Sequence, residues 1–117
     1  GVHEGPQRIA KSGATALVPG MIVSNEPGYY QAGEFGIRTE NLLVVRESDG
    51  IGDNQRRFLE FETITLAPID RRLIEVALLT EAERVWLNDY HARVAATVSL
   101  LLDPATQAWL DLATASL

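Results

Sequence analysis

The chain has 117 residues, with 10 basic and 16 acidic side chains, a formal net charge of -6 and 46% of its residues in the hydrophobic class. That length and apolar content describe at most one soluble domain with a usable core, and they exclude global disorder. Net acidity without a Lys/Arg cluster beyond Arg56-Arg57 and Arg71-Arg72 excludes non-specific nucleic-acid binding, and the lack of cysteine excludes disulfides, thiolate nucleophiles and cysteine-ligated metals, with a cytoplasmic setting as the default.

The chain opens on Gly-Val-His-Glu-Gly-Pro, which has neither an initiator Met nor the basic and apolar regions of a signal peptide, so the reading expects a chain that starts within a longer protein. Strands and turns follow, because Gly and Pro recur every few residues and the apolar runs between them are short. From Met21 to Glu26 the alternation puts Ile22, Ser24 and Glu26 on one face and Met21, Val23 and Asn25 on the other, and Pro27-Gly28 is expected to stop the strand. A second strand is predicted over Gly36 to Arg46 and a third over Phe58 to Leu66, joined as an antiparallel meander.

Beyond Pro68 the period becomes helical. A short helical turn is expected around Arg71 to Val76. Thr80 and Glu83 form a capping box, and Trp86, Leu87, Tyr90, Val94, Val98 and Leu101 recur at spacings of three and four, predicting an amphipathic helix that ends near Leu102. Asp103-Pro104 is an N-cap followed by the favoured N1 proline, starting a last helix that carries Trp109, Leu110 and Ala113. The longest apolar-rich stretch, Arg93 to Leu102, falls far short of the roughly 20 residues a bilayer needs, so no membrane partner is expected. The fold class is α+β, antiparallel strands followed by C-terminal helices, with a sheet portion at 1–68 and a helical extension at 69–117.

The reactive side chains fall in the strand portion. Glu40 lies among Ile37, Leu42 and Leu43, where a carboxylate must point outward or meet a cation, and Arg38 is two residues away on the same face. One reading is a solvated Arg38–Glu40 ion pair. The other joins Glu26 and Glu40 across antiparallel strands, so that two carboxylates converge and either share a proton or neutralise a divalent cation. A proton-sharing pair serves acid–base work, and an all-oxygen pair suits Mn, Mg or Ca, with Zn tolerated if a histidine such as His3 joins. His91, beside Tyr90 on the long helix, is read as structural or surface.

The blocks Val2-His3-Glu4-Gly5-Pro6, Pro19-Gly20-Met21-Ile22-Val23-Ser24-Asn25-Glu26-Pro27-Gly28-Tyr29-Tyr30 and Gly36-Ile37-Arg38-Thr39-Glu40-Asn41 closely resemble consecutive blocks of the Xaa-Pro aminopeptidases, a family of pita-bread metallopeptidases. Leu78-Leu79-Thr80-Glu81 through Trp86-Leu87-Asn88-Asp89-Tyr90-His91, with Trp109-Leu110, resemble the tail of its three-domain members. The resemblance spans essentially the whole chain, and it implies the C-terminal part of a pita-bread fold. It also implies two divalent metal ions, Mn first with Zn or Co as options, and release of an N-terminal residue that precedes proline. By that analogy Glu26 ligates one metal, Glu40 bridges both, His3 is a catalytic residue beside the metals, and Arg38 orients the metal-bound carboxylates through charged hydrogen bonds.

The family pattern also uses two aspartates and a histidine from segments upstream of His3. Three of five ligands are therefore expected to be missing, and this piece alone is expected to be inactive. An open sheet edge implies either edge pairing with another copy or exchange of elements between chains, and the helical tail implies a homodimer, although core packing is expected for at least two of Trp86, Tyr90 and Trp109. The implied partner is a peptide with an Xaa-Pro N-terminus. Two alternatives remain: a prolidase-type dipeptidase, against which the Trp-Leu-Asn-Asp-Tyr-His tail argues, and a non-catalytic pita-bread binding module, against which the retained Glu26, Glu40 and His3 argue.

Overall fold

In the computed structural model, which describes residues 5–53 and 56–117, the first alternating run forms β1 (Ile22–Asn25). β1 ends before Pro27-Gly28, as expected, and a new strand starts directly after the proline. Gly28–Gln31 forms β2 and Phe35–Arg38 forms β3, an antiparallel hairpin with Gly28 opposite Arg38 and Tyr30 opposite Gly36. Its three-residue loop, 32–34, places Gly33 at φ 77, the left-handed conformation that glycine adopts without a Cβ clash.

The expected strand over 36–46 is therefore divided: β3 ends at Arg38, and β4 (Asn41–Asp53) begins after Glu40. β4 runs back along β1, pairing Asn41 with Asn25 and Val44 with Ile22, and then pairs with β5 (Arg56–Thr63). The sheet order β1-β4-β5 is the expected meander, with the β2–β3 hairpin inserted as a separate two-stranded sheet. The register of β4 against β5 shifts between Glu47 and Gly52. Val23, Leu43 and Val45 are buried, whereas Ile22 and Leu42, on the opposite face of the same strands, are exposed.

Contacts divide the chain between Thr65 and Leu66. In the unit that follows, two 3-10 turns at Arg71–Leu73 and Val76–Leu78 precede α1 (Glu81–Val98). Each turn is capped by the acidic residue before it, Asp70 or Glu75, which accepts from a backbone N–H two residues on. The α1 capping box is complete: Thr80 Oγ1 accepts from the Glu83 N–H, and the Glu83 carboxylate accepts from the Thr80 N–H at 2.8 Å. The α-helix ends at Val98, short of the predicted Leu102, and tightens into a 3-10 turn over Ser99–Leu101. Asp103 Oδ1 then accepts from the N–H groups of Ala105 and Thr106 to start α2 (Pro104–Ala113).

Leu87, Tyr90, Val94 and Leu110 form the core of this unit, packed by Leu66, Ile69, Ile74, Leu79 and Val98 among others. The expectation for the three large aromatics is corrected. Tyr90 is buried, but Trp86 and Trp109 are about half exposed, and Trp86 lies flat on Tyr90 with ring centroids 5.5 Å apart. The Tyr90 hydroxyl donates to the Ala67 carbonyl oxygen at 2.6 Å, the partner a buried phenol needs. His91 is fully buried, and its Nε2 accepts from the Ile69 N–H at 3.1 Å. Burial first, then the positive charge of Arg71, push the His91 pKa below its ordinary value. Among the described residues no helix is long and apolar enough to cross a membrane.

Candidate metal centre

The two glutamates sit at the two corners where the chain leaves the three-stranded sheet for the hairpin and returns from it. Glu26 follows Asn25, the last residue of β1, and Glu40 precedes Asn41, the first residue of β4. Since Asn25 and Asn41 are paired, continuing the ladder by one residue brings the two glutamates opposite one another. A further backbone bond, Thr39 N–H to the Pro27 carbonyl oxygen at 3.3 Å, closes the corner from the hairpin side.

Arg38, at the end of β3, lies between them. Its Nη1 donates to Glu26 Oε2, and its Nε is 3.7 Å from Glu40 Oε2. Arg38 thus pairs with Glu40, two residues along the chain, and also reaches Glu26 across the hairpin junction. Tyr30 first, then Glu40 and Glu26, hold the guanidinium charged by raising its pKa above the ordinary arginine value. The hairpin allows this because two glycines stand across from the bulky side chains. A Cβ on Gly28 would lie 2.7 Å from Arg38 Cγ, and one on Gly36 would lie 2.7 Å from Tyr30 Cδ1.

The second oxygen of Glu26 is also engaged, since Ser24 Oγ donates to Oε1 at 2.8 Å. Reasoning from sequence assigned no role to Ser24 or Tyr30. The i, i+2 spacing of Ser24 and Glu26 on one strand face was the available signal. His3 lies outside the described residues. His91 is buried in the helical unit, where its Nε2 accepts from the Ile69 N–H.

Chemically, the centre presents hard carboxylate oxygens turned toward one shared cation, here the guanidinium. That donor set fits a divalent ion of the Mn or Mg type in kind. In number it supplies two carboxylates, and among the described residues no group of three or more His, Asp or Glu side chains forms a cage.

Comparison with known proteins supplies the context. Residues 1–47 match the profile of metallopeptidase family M24, and residues 57–117 match the profile described as the C-terminal region of peptidase M24. A probable Xaa-Pro aminopeptidase P of Coprinopsis cinerea is 49% identical over 118 residues, covering 93% of this chain and 18% of the relative. Aminopeptidase P2 of Arabidopsis thaliana is 49% identical over 113 residues, covering 93% of this chain and 16% of its own length. Among solved structures, the X-prolyl aminopeptidase of Caenorhabditis elegans, described as a cytosolic enzyme with a di-nuclear active site, superposes with a TM-score of 0.80. It is 33% identical and is matched over 99% of this chain and 20% of its own. The chain thus spans about a fifth of the length of the relatives it matches.

Proposed function

The chain belongs to the M24 metallopeptidases, and from that premise we propose that it supplies part of the metal centre of a metal-dependent Xaa-Pro aminopeptidase. Its substrates are peptides with proline in second position, from which the N-terminal residue is released. The observation that carries this reading is the contact of one guanidinium with both Glu26 and Glu40, which presents two carboxylates to a single positive charge. Similarity to Xaa-Pro aminopeptidases along nearly the whole chain supports the choice of reaction.

In this reading Glu26 and Glu40 would hold the metal ions, with Glu40 serving both, and Arg38 orients both carboxylates through charged hydrogen bonds. His3 acts beside them on the substrate. Two divalent ions, Mn first, supply an acidified water and a polarised scissile carbonyl when bound. Asn25 and Asn41, paired at the ends of β1 and β4, set the distance between the two carboxylate-bearing corners. With two carboxylates in the converging set, the 117-residue chain binds Mn weakly and does not turn substrate over alone. The setting is cytoplasmic. The outer strands β1 and β5 offer edges for pairing between copies, so the chain is read as a homodimer or edge-paired oligomer.

The test is a Mn2+ titration of the isotope-labelled chain followed by paramagnetic broadening, run beside an Xaa-Pro peptide hydrolysis assay. Broadening is expected first at the Asn25 and Asn41 amides, absent in Glu40→Gln, with no turnover. Uniform broadening that Glu40→Gln leaves unchanged overturns the metal assignment. Turnover by the isolated chain overturns its assignment as an incomplete site. Light scattering that finds a monomer at every concentration overturns the oligomer.

A further inference from the structure

Glu26 lies one residue beyond β1, where the sheet ladder no longer holds its backbone, and its side chain has three rotatable bonds to immobilise. Arg38, itself long and 44% exposed, holds Oε2. The other oxygen is held from a different element. Ser24 is inside β1, paired with Leu42 of β4, and its hydroxyl sits on a single rotatable bond pointing along the same strand face as Glu26.

We propose that Ser24 is a positioning residue for the cation site: its hydroxyl fixes Glu26 Oε1 while Arg38 fixes Oε2, so the carboxylate meets a divalent ion in one orientation. This inference rests on the reading of Glu26 and Glu40 as metal ligands. Its physical basis is preorganisation. A ligand frozen before the ion arrives loses less rotamer freedom on binding, and a donor on a paired strand holds it more firmly than one on a loop. Ser24 is half-buried, on the face opposite to buried Val23, so removing its hydroxyl opens no hole in the apolar core. Metal affinity and fold stability therefore separate.

The experiment compares Ser24→Thr with Ser24→Val in the full 117-residue chain. These two side chains share a branched shape that suits a strand and differ only in the hydroxyl. Mn2+ is titrated against each while the Asn25 and Asn41 amides are followed, and urea unfolding midpoints are measured in parallel. The expected result is a Thr variant within about twofold of the parent and a Val variant weakened by about tenfold, the lower end of what losing an outer partner of a ligand costs, with matching unfolding midpoints. Equal affinities for Thr and Val, in a chain whose Mn response Glu40→Gln still abolishes, overturn the role of Ser24 and leave the metal site standing. A parent chain with no selective response at these amides overturns both. A Val variant whose lost affinity tracks an equal fall in its unfolding midpoint assigns Ser24 to the fold and overturns the positioning role.

Discussion

The sheet unit and the helical unit solve the burial problem differently. The helical unit encloses Leu87, Tyr90, Val94 and Leu110, and it satisfies its helix starts with Thr80, Glu83 and Asp103 from its own sequence. The sheet unit buries Val23, Leu43 and Val45 but leaves Phe58, Leu59 and Phe61 of β5 nearly half exposed. Yet the carboxylates and the guanidinium that can do chemistry are in the sheet unit. A closed core makes an element stable; corners between strands, where the backbone turns and side chains spread, place charges against one another. The two units divide those tasks.

The largest effect that tests this contrast is a core truncation. Leu110→Ala, at a site only 2% exposed, is expected to destabilise the helical unit by about 2–5 kcal/mol. Phe61→Ala, at a site 49% exposed, is expected to cost about 1 kcal/mol, since only half of its area leaves water. Urea unfolding of both variants checks this, and equal costs would erase the difference between the units. Next, Thr80→Ala removes the acceptor for the Glu83 N–H; a loss of about 1 kcal/mol is expected, read as a lower midpoint in circular dichroism.

Smaller still is Gly36→Ala. The new methyl meets the Tyr30 ring, which is exposed and swings away, so a cost below about 1 kcal/mol is expected. The displaced ring is read as a shift in the Arg38 side-chain resonances, and an unshifted Arg38 would separate Tyr30 from the centre.

The last test reads nothing at neutral pH. The folded-state pKa of His91 is lowered below its ordinary 6.5 by burial and by Arg71, so the folded unit resists a proton that the unfolded chain accepts. Its contribution is intact above the unfolded value and declines as the pH falls below about 6.5 toward the depressed folded value. The neighbours named by the structure are the Arg71 charge, the Ile69 N–H and the Tyr90 ring. Thermal melts in that window should show a drop that His91→Gln flattens, and a parallel drop in both proteins would assign the effect elsewhere.

The helical unit was the more legible half. The Thr80–Glu83 box and the Asp103-Pro104 start are signals within four residues, and both caps form as read. The sheet was legible in its runs and its antiparallel order. The inserted hairpin was not, because Pro27-Gly28 is strong turn chemistry and Gly36 adds no side chain to an alternating pattern. In the centre, Arg38 beside Glu40 could be read from a spacing of two. The contact of Arg38 with Glu26 spans twelve residues and exists only through the β2–β3 register. The exposure of Trp86 escaped for a related reason, since helical spacing places it beside the core face without saying that its ring lies flat on Tyr90.

The hairpin register carries a rule for insertions and deletions. Arg38 faces the carboxylates because Gly28 pairs with Arg38 and the strand alternates sides with each residue. Adding or removing one residue within β3 turns the guanidinium to the side now occupied by Tyr29 and Ile37, with Glu26 and Glu40 left facing each other without their cation. Changing the length of the 32–34 loop leaves that parity intact. Lineages of this chain are therefore expected to vary in length at the hairpin tip and to keep an unchanged residue count from Phe35 to Glu40.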